Sequence, residues 1–153
     1  MEFDSQICTT EEQSKRLLAL GLKKETADMT LFKSPDMPAY PFDYAFSHDT
    51  LILTNVRYVP MVKGETPFVQ DGNIPAWSLH RLIEMIPTTV PDKSYIMHQL
   101  MIDGASISYY YFGEEESWEI WRIWNDKELY DNVIDCIKWL IGEGHFDKEY
   151  LEE

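Results

Sequence analysis

Residues 94–124 read SYIMHQLMIDGASISYYYFGEEESWEIWRIW, and their reading decides the fold. The segment reads as three consecutive antiparallel strands, the first two of them alternating runs of the kind half-buried strands show, and together they carry eight aromatic side chains. Asp103-Gly104 separates the first two runs, and such a pair between alternating segments is the strongest short-range hairpin signal. Gly113-Glu-Glu-Glu116 separates the second and third. The stretch is therefore expected to be a three-stranded antiparallel meander at about 94–124.

A two-residue turn at Asp103-Gly104 would set Ile102 opposite Ala105, Leu100 opposite Ile107, His98 opposite Tyr109 and Ile96 opposite Tyr111. With a four-residue second loop, Trp118, Ile120, Arg122 and Trp124 continue that face, which is the better core. The other face then holds Tyr95, Met97, Gln99 and Met101, next Ser106, Ser108, Tyr110 and Phe112, and last Glu119, Trp121 and Ile123. A single layer of helices covers one side only. Tyr95, Tyr110, Phe112 and Trp121 thus need cover from another part of the chain or from a second copy, or else they form an interaction surface.

Outward from the meander, the chain reads as helical at both ends. Thr9-x-x-Glu12 and Thr10-x-x-Gln13 both fit a capping box, and Gly21 fits a helix stop, placing a first helix at about 10–20. Residues 22–29 add at most a short second turn. A DNA-binding helix-turn-helix needs a full second helix and positive charge, and Pro35, Pro38 and Pro41 arrive too soon. Ser78 caps a short middle helix at about 78–86, with Leu79, Leu82, Ile83 and Ile86 on one stripe and Pro87 as its stop. His80 and Arg81 fall off that stripe, onto a solvated face. Asn125 or Asp126 is expected to cap a final helix at about 126–142, packed on the sheet, with Cys136 inside its apolar arc and Trp139 apart from it. Trp139 therefore joins the candidate interaction residues.

Five prolines punctuate residues 30–73, which read as an irregular arm with short strand pieces at 50–54 and 56–59 and a possible hairpin at Thr54-Asn55. The arm is expected to lie over the core or to form a binding element. The whole chain reads as a single α+β domain of 153 residues, long enough to bury a core without a metal or disulfide staple.

The formal net charge is −14, and residues 113–153 hold thirteen acids against four bases. Such a chain offers no basic face to phosphates, so direct binding of nucleic acid or an anionic membrane is not expected. No apolar run approaches the length of a membrane span, and the acidic N-terminus has no secretory pattern. The two cysteines, Cys8 and Cys136, read as reduced thiols in a cytoplasmic protein.

Catalytic patterns are missing from the sequence: no phosphate-cradling glycine loop, no G-x-S-x-G elbow, no HExxH and no Cys-x-x-Cys. The four histidines have no metal-ligand spacing, and His98 reads as a hydrogen-bonded core residue. The acidic run 114–116 reads as a solvated hairpin tip. No catalytic, metal or cofactor-binding residue is assigned.

The segments EEQSKRLLALGLKKETADM (11–29), IPAWSLHRLIEMIP (74–87) and IDCIKWLIGEGHF (134–146) resemble a family of small uncharacterised proteins encoded in phages and mobile elements of Bacteroides-type gut bacteria. The resemblance implies a bacterial, cytoplasmic setting and carries no activity to any residue. Three functions follow as expectations. The first is a non-catalytic accessory protein acting through protein–protein contacts, as a homodimer or with another protein. The second is an acidic mimic that inhibits a host nucleic-acid-binding enzyme. The third is an enzyme whose site, for example His98 with carboxylates of the arm, has no recognisable motif.

Overall fold

The computed structural model describes residues 6–32, 52–54, 74–113 and 117–153. Its helices are α1 (Glu11–Ala19), α2 (Leu79–Met85) and α3 (Leu129–Glu143). Its strands are β1 (Met29–Phe32), β2 (Ile52–Thr54), β3 (Ile74–Ala76), β4 (Thr89–Pro91), β5 (Met97–Asp103), β6 (Ser106–Phe112) and β7 (Trp118–Trp124). The class is α+β. Two antiparallel sheets form, one in the order β2-β1-β3 and one in the order β4-β5-β6-β7.

The meander is thus the larger part of a four-stranded sheet. The sequence reading missed β4, a three-residue edge strand that ends at Pro91. An edge tolerates proline, because the missing N–H would face outward. The small sheet was also missed as a sheet, although its β2 falls within the strand piece expected at 50–54. Of the arm, only 30–32 and 52–54 are described, where β1 pairs with β2 (Thr30 opposite Thr54). The expected strand at 56–59, the hairpin at Thr54-Asn55 and the arm's cover of the meander lie outside the described residues, as does the tip 114–116.

At α1 the capping box forms at Thr10, not Thr9. Gln13 N donates to Thr10 Oγ1 at 3.2 Å, and Thr10 N donates to Gln13 Oε1 at 3.0 Å. Thr9 is buried and has another use. Its hydroxyl meets Ser14 Oγ at 2.8 Å and accepts from Trp77 N at 3.0 Å, while its own N–H donates to Trp77 O at 2.9 Å. Trp77 is fully buried and donates its indole N–H to Thr26 Oγ1 at 3.0 Å. The next residue, Ser78, caps α2 through Arg81 N at 3.2 Å. Arg81 departs from the solvated reading: it is half-buried and donates to Thr26 O at 2.9 Å.

Helix α3 begins three residues later than the sequence suggests. Its N-cap is Glu128, which makes no side-chain capping bond. The buried Asn132 secures the approach instead, donating from Nδ2 to Lys127 O at 2.7 Å and to Ala105 O at 2.9 Å. One amide thereby ties the start of α3 to the β5–β6 turn. The helix ends at Gly144, whose φ of +77° suits a glycine C-cap. Arg16 of α1 bridges to Asp131 at 2.8 Å and Asp135 at 2.7 Å on α3. These half-exposed pairs each contribute about 1 kcal/mol or less.

The main core lies between α3 and one face of the larger sheet, where Ile107 and Tyr109 meet Val133, Ile137 and Leu140. Tyr109 donates its hydroxyl to Pro87 O at 2.6 Å, and burial pushes its pKa far up. Both cysteines are buried free thiols. Burial first and the Asp28 carboxylate second push Cys8 up to about 11, and burial pushes Cys136 up as well. Neither thiol should react with an aromatic disulfide reagent at pH 8 in the folded protein, and both should react once it is unfolded. Rapid labelling of the native chain would contradict this burial.

Candidate functional site: an open sheet face and an aromatic cleft

The β5–β6 hairpin turns at Gly104-Ala105, one residue later than expected, with Asp103 opposite Ser106. Gly104 alone of the central pair has positive φ (+58°), the position where a II′ turn prefers glycine. The register therefore moves by two: Ile102 faces Ile107 and Leu100 faces Tyr109. A shift of two preserves side-chain parity, so the face assignment of both strands stands.

The third strand is different. Between Tyr109 and Tyr110 the register with β7 slips by one, from Tyr109 opposite Arg122 to Tyr110 opposite Ile120, leaving Trp121 as the extra residue of a β-bulge. One residue flips every side chain before it to the other side. Trp118 and Ile120, expected in the core, lie opposite Phe112 and Tyr110 on the face away from α3. Trp121, expected with Tyr110 and Phe112, lies on the helix side and stacks on the buried His98 at 4.2 Å.

The bulge therefore divides the five candidate interaction residues between two surfaces. Phe112 and Tyr110 remain on the open face, where both rings meet Trp118 edge to face at 4.8 Å. Met97, Met101, Phe112, Trp118, Ile120 and Ile123 are all exposed there, Trp118 at 64%. With side chains of this size half-uncovered, the apolar patch amounts to about 500 Å², at the upper end for a monomer's largest patch. Ser108 at its centre is buried among them. No described residue packs over this face.

Trp121, Trp139 and Tyr95 border the second surface. Trp139 is not apart from the core: it packs against Tyr109, Trp121 and Trp124 at 6.1, 5.3 and 5.5 Å. A cavity of about 770 Å³ opens beside it, between the C-terminal end of α3, the bulge of β7 and the β4–β5 turn. Its lining includes Trp121, Arg122, Trp139, Glu143, His145 and the segment Pro91–Tyr95. Arg122 lies over the Trp121 and Trp139 rings at 5.9 and 5.6 Å.

The β4–β5 turn is held by Asp92, whose Oδ1 accepts from Ser94 N at 2.7 Å and Ile96 N at 3.0 Å. That geometry drives Tyr95 to a φ of +63°, a conformation unfavourable for a bulky side chain, and leaves its ring 87% exposed. Tyr95→Asn should raise the unfolding free energy by about 0.5–1 kcal/mol, because Asn adopts this region readily. A lower urea midpoint would mean that the Tyr95 ring contributes more than the strain removes.

His98 is a core histidine, as the sequence suggests, but it is held by rings. It stacks on Trp121 and meets Tyr111 edge-on at 5.3 Å, and its Nδ1 has no hydrogen-bond partner. Tyr111 donates to Glu119, and that hydrogen bond is the main cause of its raised pKa. Among the described residues no group of three His, Cys, Asp or Glu side chains is placed to hold a metal ion, and no helix is long and apolar enough to cross a membrane. Arg122, Lys93 and Glu143 carried no motif, and only the fold brings them together. Comparison with known proteins matched no family model, no curated protein and no solved structure.

Proposed function

We propose that this chain is a binding module that docks another protein on the open face of its larger sheet, and that this contact is its function. The observation that carries the reading is the continuous apolar patch around Phe112, Trp118, Ile120 and Ile123. Water disfavours so much exposed hydrocarbon, and a soluble chain retains it where a partner covers it. Charge supports the kind of partner. The net charge of −14 makes face-to-face docking of two copies self-repelling, and it favours an apolar surface rimmed with basic side chains. The buried free thiols fit a reducing, cytoplasmic setting, and the resemblance of three segments to phage-encoded proteins makes a bacterial lysate the first place to look.

The experiment compares the wild type with a Trp118→Lys, Ile120→Lys double variant. Both positions are exposed, so the variant should keep its circular dichroism and thermal midpoint. A protein retained by the wild type, released as salt rises and absent from the variant supports the reading. Equal retention by both chains, or a dimer of this chain that the variant abolishes, overturns it.

A further inference from the structure

We infer that the cleft beside Trp121 and Trp139 binds a small zwitterion with a planar ring, of the chemical class of the aromatic amino acids. The cleft lies on the helix side of the sheet, opposite the proposed docking face, so the two readings stand or fall separately. Its volume, about 770 Å³, is within the usual range of small-molecule sites.

The walls specify a planar ring. Trp121 and Trp139 stand at 80° to each other with centroids 5.3 Å apart, which makes a right-angled corner. A ring laid on one indole face presents its edge to the other, so both favourable aromatic geometries are met at once. His98 backs Trp121 as a stacked support, and the Arg122 guanidinium, which lies over both indoles, moves aside to the ligand's carboxylate as the ring takes its place.

The rim specifies the charges. Arg16 bridges two carboxylates, and Arg81 donates to Thr26 O and Glu84. Arg122, the third described arginine, donates to no acceptor among the described residues and lies over two indole rings. Lys93 likewise pairs with no described residue. Asp92 and Glu143 line the same cleft, and no ion pair within 4.0 Å joins either acid to either cation among the described residues. Asp92 has Oδ1 engaged by its turn and Oδ2 still able to accept. Trp139 keeps its indole N–H without an acceptor.

Two cations and two carboxylates that line one cleft, with no ion pair between them among the described residues, match a ligand that carries one charge of each sign. A guanidinium takes a carboxylate through two parallel bonds, and an ammonium suits the acids. A polyphosphate would meet the repulsion of a −14 chain, and a simple cation would meet Arg122.

The test is isothermal titration of the full chain with L-tryptophan, indole-3-propionate, tryptamine and adenosine monophosphate. L-Tryptophan should bind, and the two single-charge analogues should bind at least about tenfold more weakly, the loss expected for one charged contact. Arg122→Ala, at an exposed position, should weaken L-tryptophan by about tenfold and keep the circular dichroism of the folded chain. Glu143→Gln should weaken L-tryptophan but not indole-3-propionate. Binding of tryptamine or adenosine monophosphate as tight as that of L-tryptophan, no effect of Arg122→Ala, or no binding of L-tryptophan would each overturn the assignment.

Discussion

Trp77→Ala is expected to lower the unfolding free energy by about 3–5 kcal/mol, which leaves a domain of ordinary stability close to its midpoint at 37 °C. Trp77 is the largest fully buried side chain, and it sits where β3 of the small sheet gives way to α2. Truncation removes that volume and also the indole N–H bond to the Thr26 hydroxyl, which keeps its own donation to Lys23 O at 2.7 Å. The main-chain bonds of Trp77 to Thr9 survive the change, so the loss should fall on packing and on that one bond. Trp77→Phe keeps most of the apolar volume and should cost about 1–2 kcal/mol, for one lost hydrogen bond and a smaller ring. Urea unfolding followed by circular dichroism measures both. A loss below 1 kcal/mol for Trp77→Ala would show that neighbouring residues collapse into the space.

What the sequence reveals here depends on whether the signal is local. The α1 cap, the α2 cap and the first hairpin are short-range features, and each is recognisable from three or four adjacent residues. Even the misplaced Asp103-Gly104 turn did no harm, because the register error was two residues and parity survived it. The bulge at Trp121 has no such unambiguous mark. The run WEIWRIW breaks apolar–polar alternation at Ile120-Trp121 and again at Ile123-Trp124, and only the fit of β7 against Tyr109 and Tyr110 decides which of the two takes the extra residue. The start of α3 was hidden for a similar reason. Asn125 and Asp126 look like caps, but the helix is set by Asn132 reaching a carbonyl twenty-seven residues away.

The candidate surfaces show the same limit. Phe112 and Tyr110 could be placed on the open face because β5 and β6 keep one register. Trp118 and Ile120 could not, since their side depends on the bulge. Trp139 was misread as apart from the core because a helical wheel knows nothing of the neighbouring sheet. Its partners, Trp121 and Trp124, are three residues apart, and in a regular strand they would point to opposite sides. The bulge brings both to α3, and with them it brings Arg122, Lys93 and Glu143 around one cavity.

Asn132→Asp should be as damaging as the loss of Trp77 at neutral pH, and its penalty should fade with acid. The Asn132 amide is fully buried, and both of its donor bonds go to main-chain carbonyls, Ala105 O and Lys127 O. A carboxylate there would aim an oxygen at two acceptors and donate to neither. Asp131 and Asp135 flank it on the same helix, while the nearest cations, Arg16 and Lys127, are already bonded to those two acids. An unpaired buried carboxylate destabilises by about 3–5 kcal/mol. Desolvation and the neighbouring acids raise its folded-state pKa above the unfolded value of about 4. The unfolded state then holds fewer protons than the folded one, so stability falls as pH rises from about 4 to the raised folded value, with a slope of up to about 1.4 kcal/mol per pH unit. Asn132→Ala has no titrating group and should lose about 1–2 kcal/mol at every pH. Urea midpoints at pH 5.5 and 8 separate the two variants. Asn132→Asp should recover part of its loss at the lower pH relative to the wild type, and Asn132→Ala should not. Equal losses for the aspartate at both values would mean that water or a cation reaches this position, and that the tie between α3 and the β5–β6 turn is open.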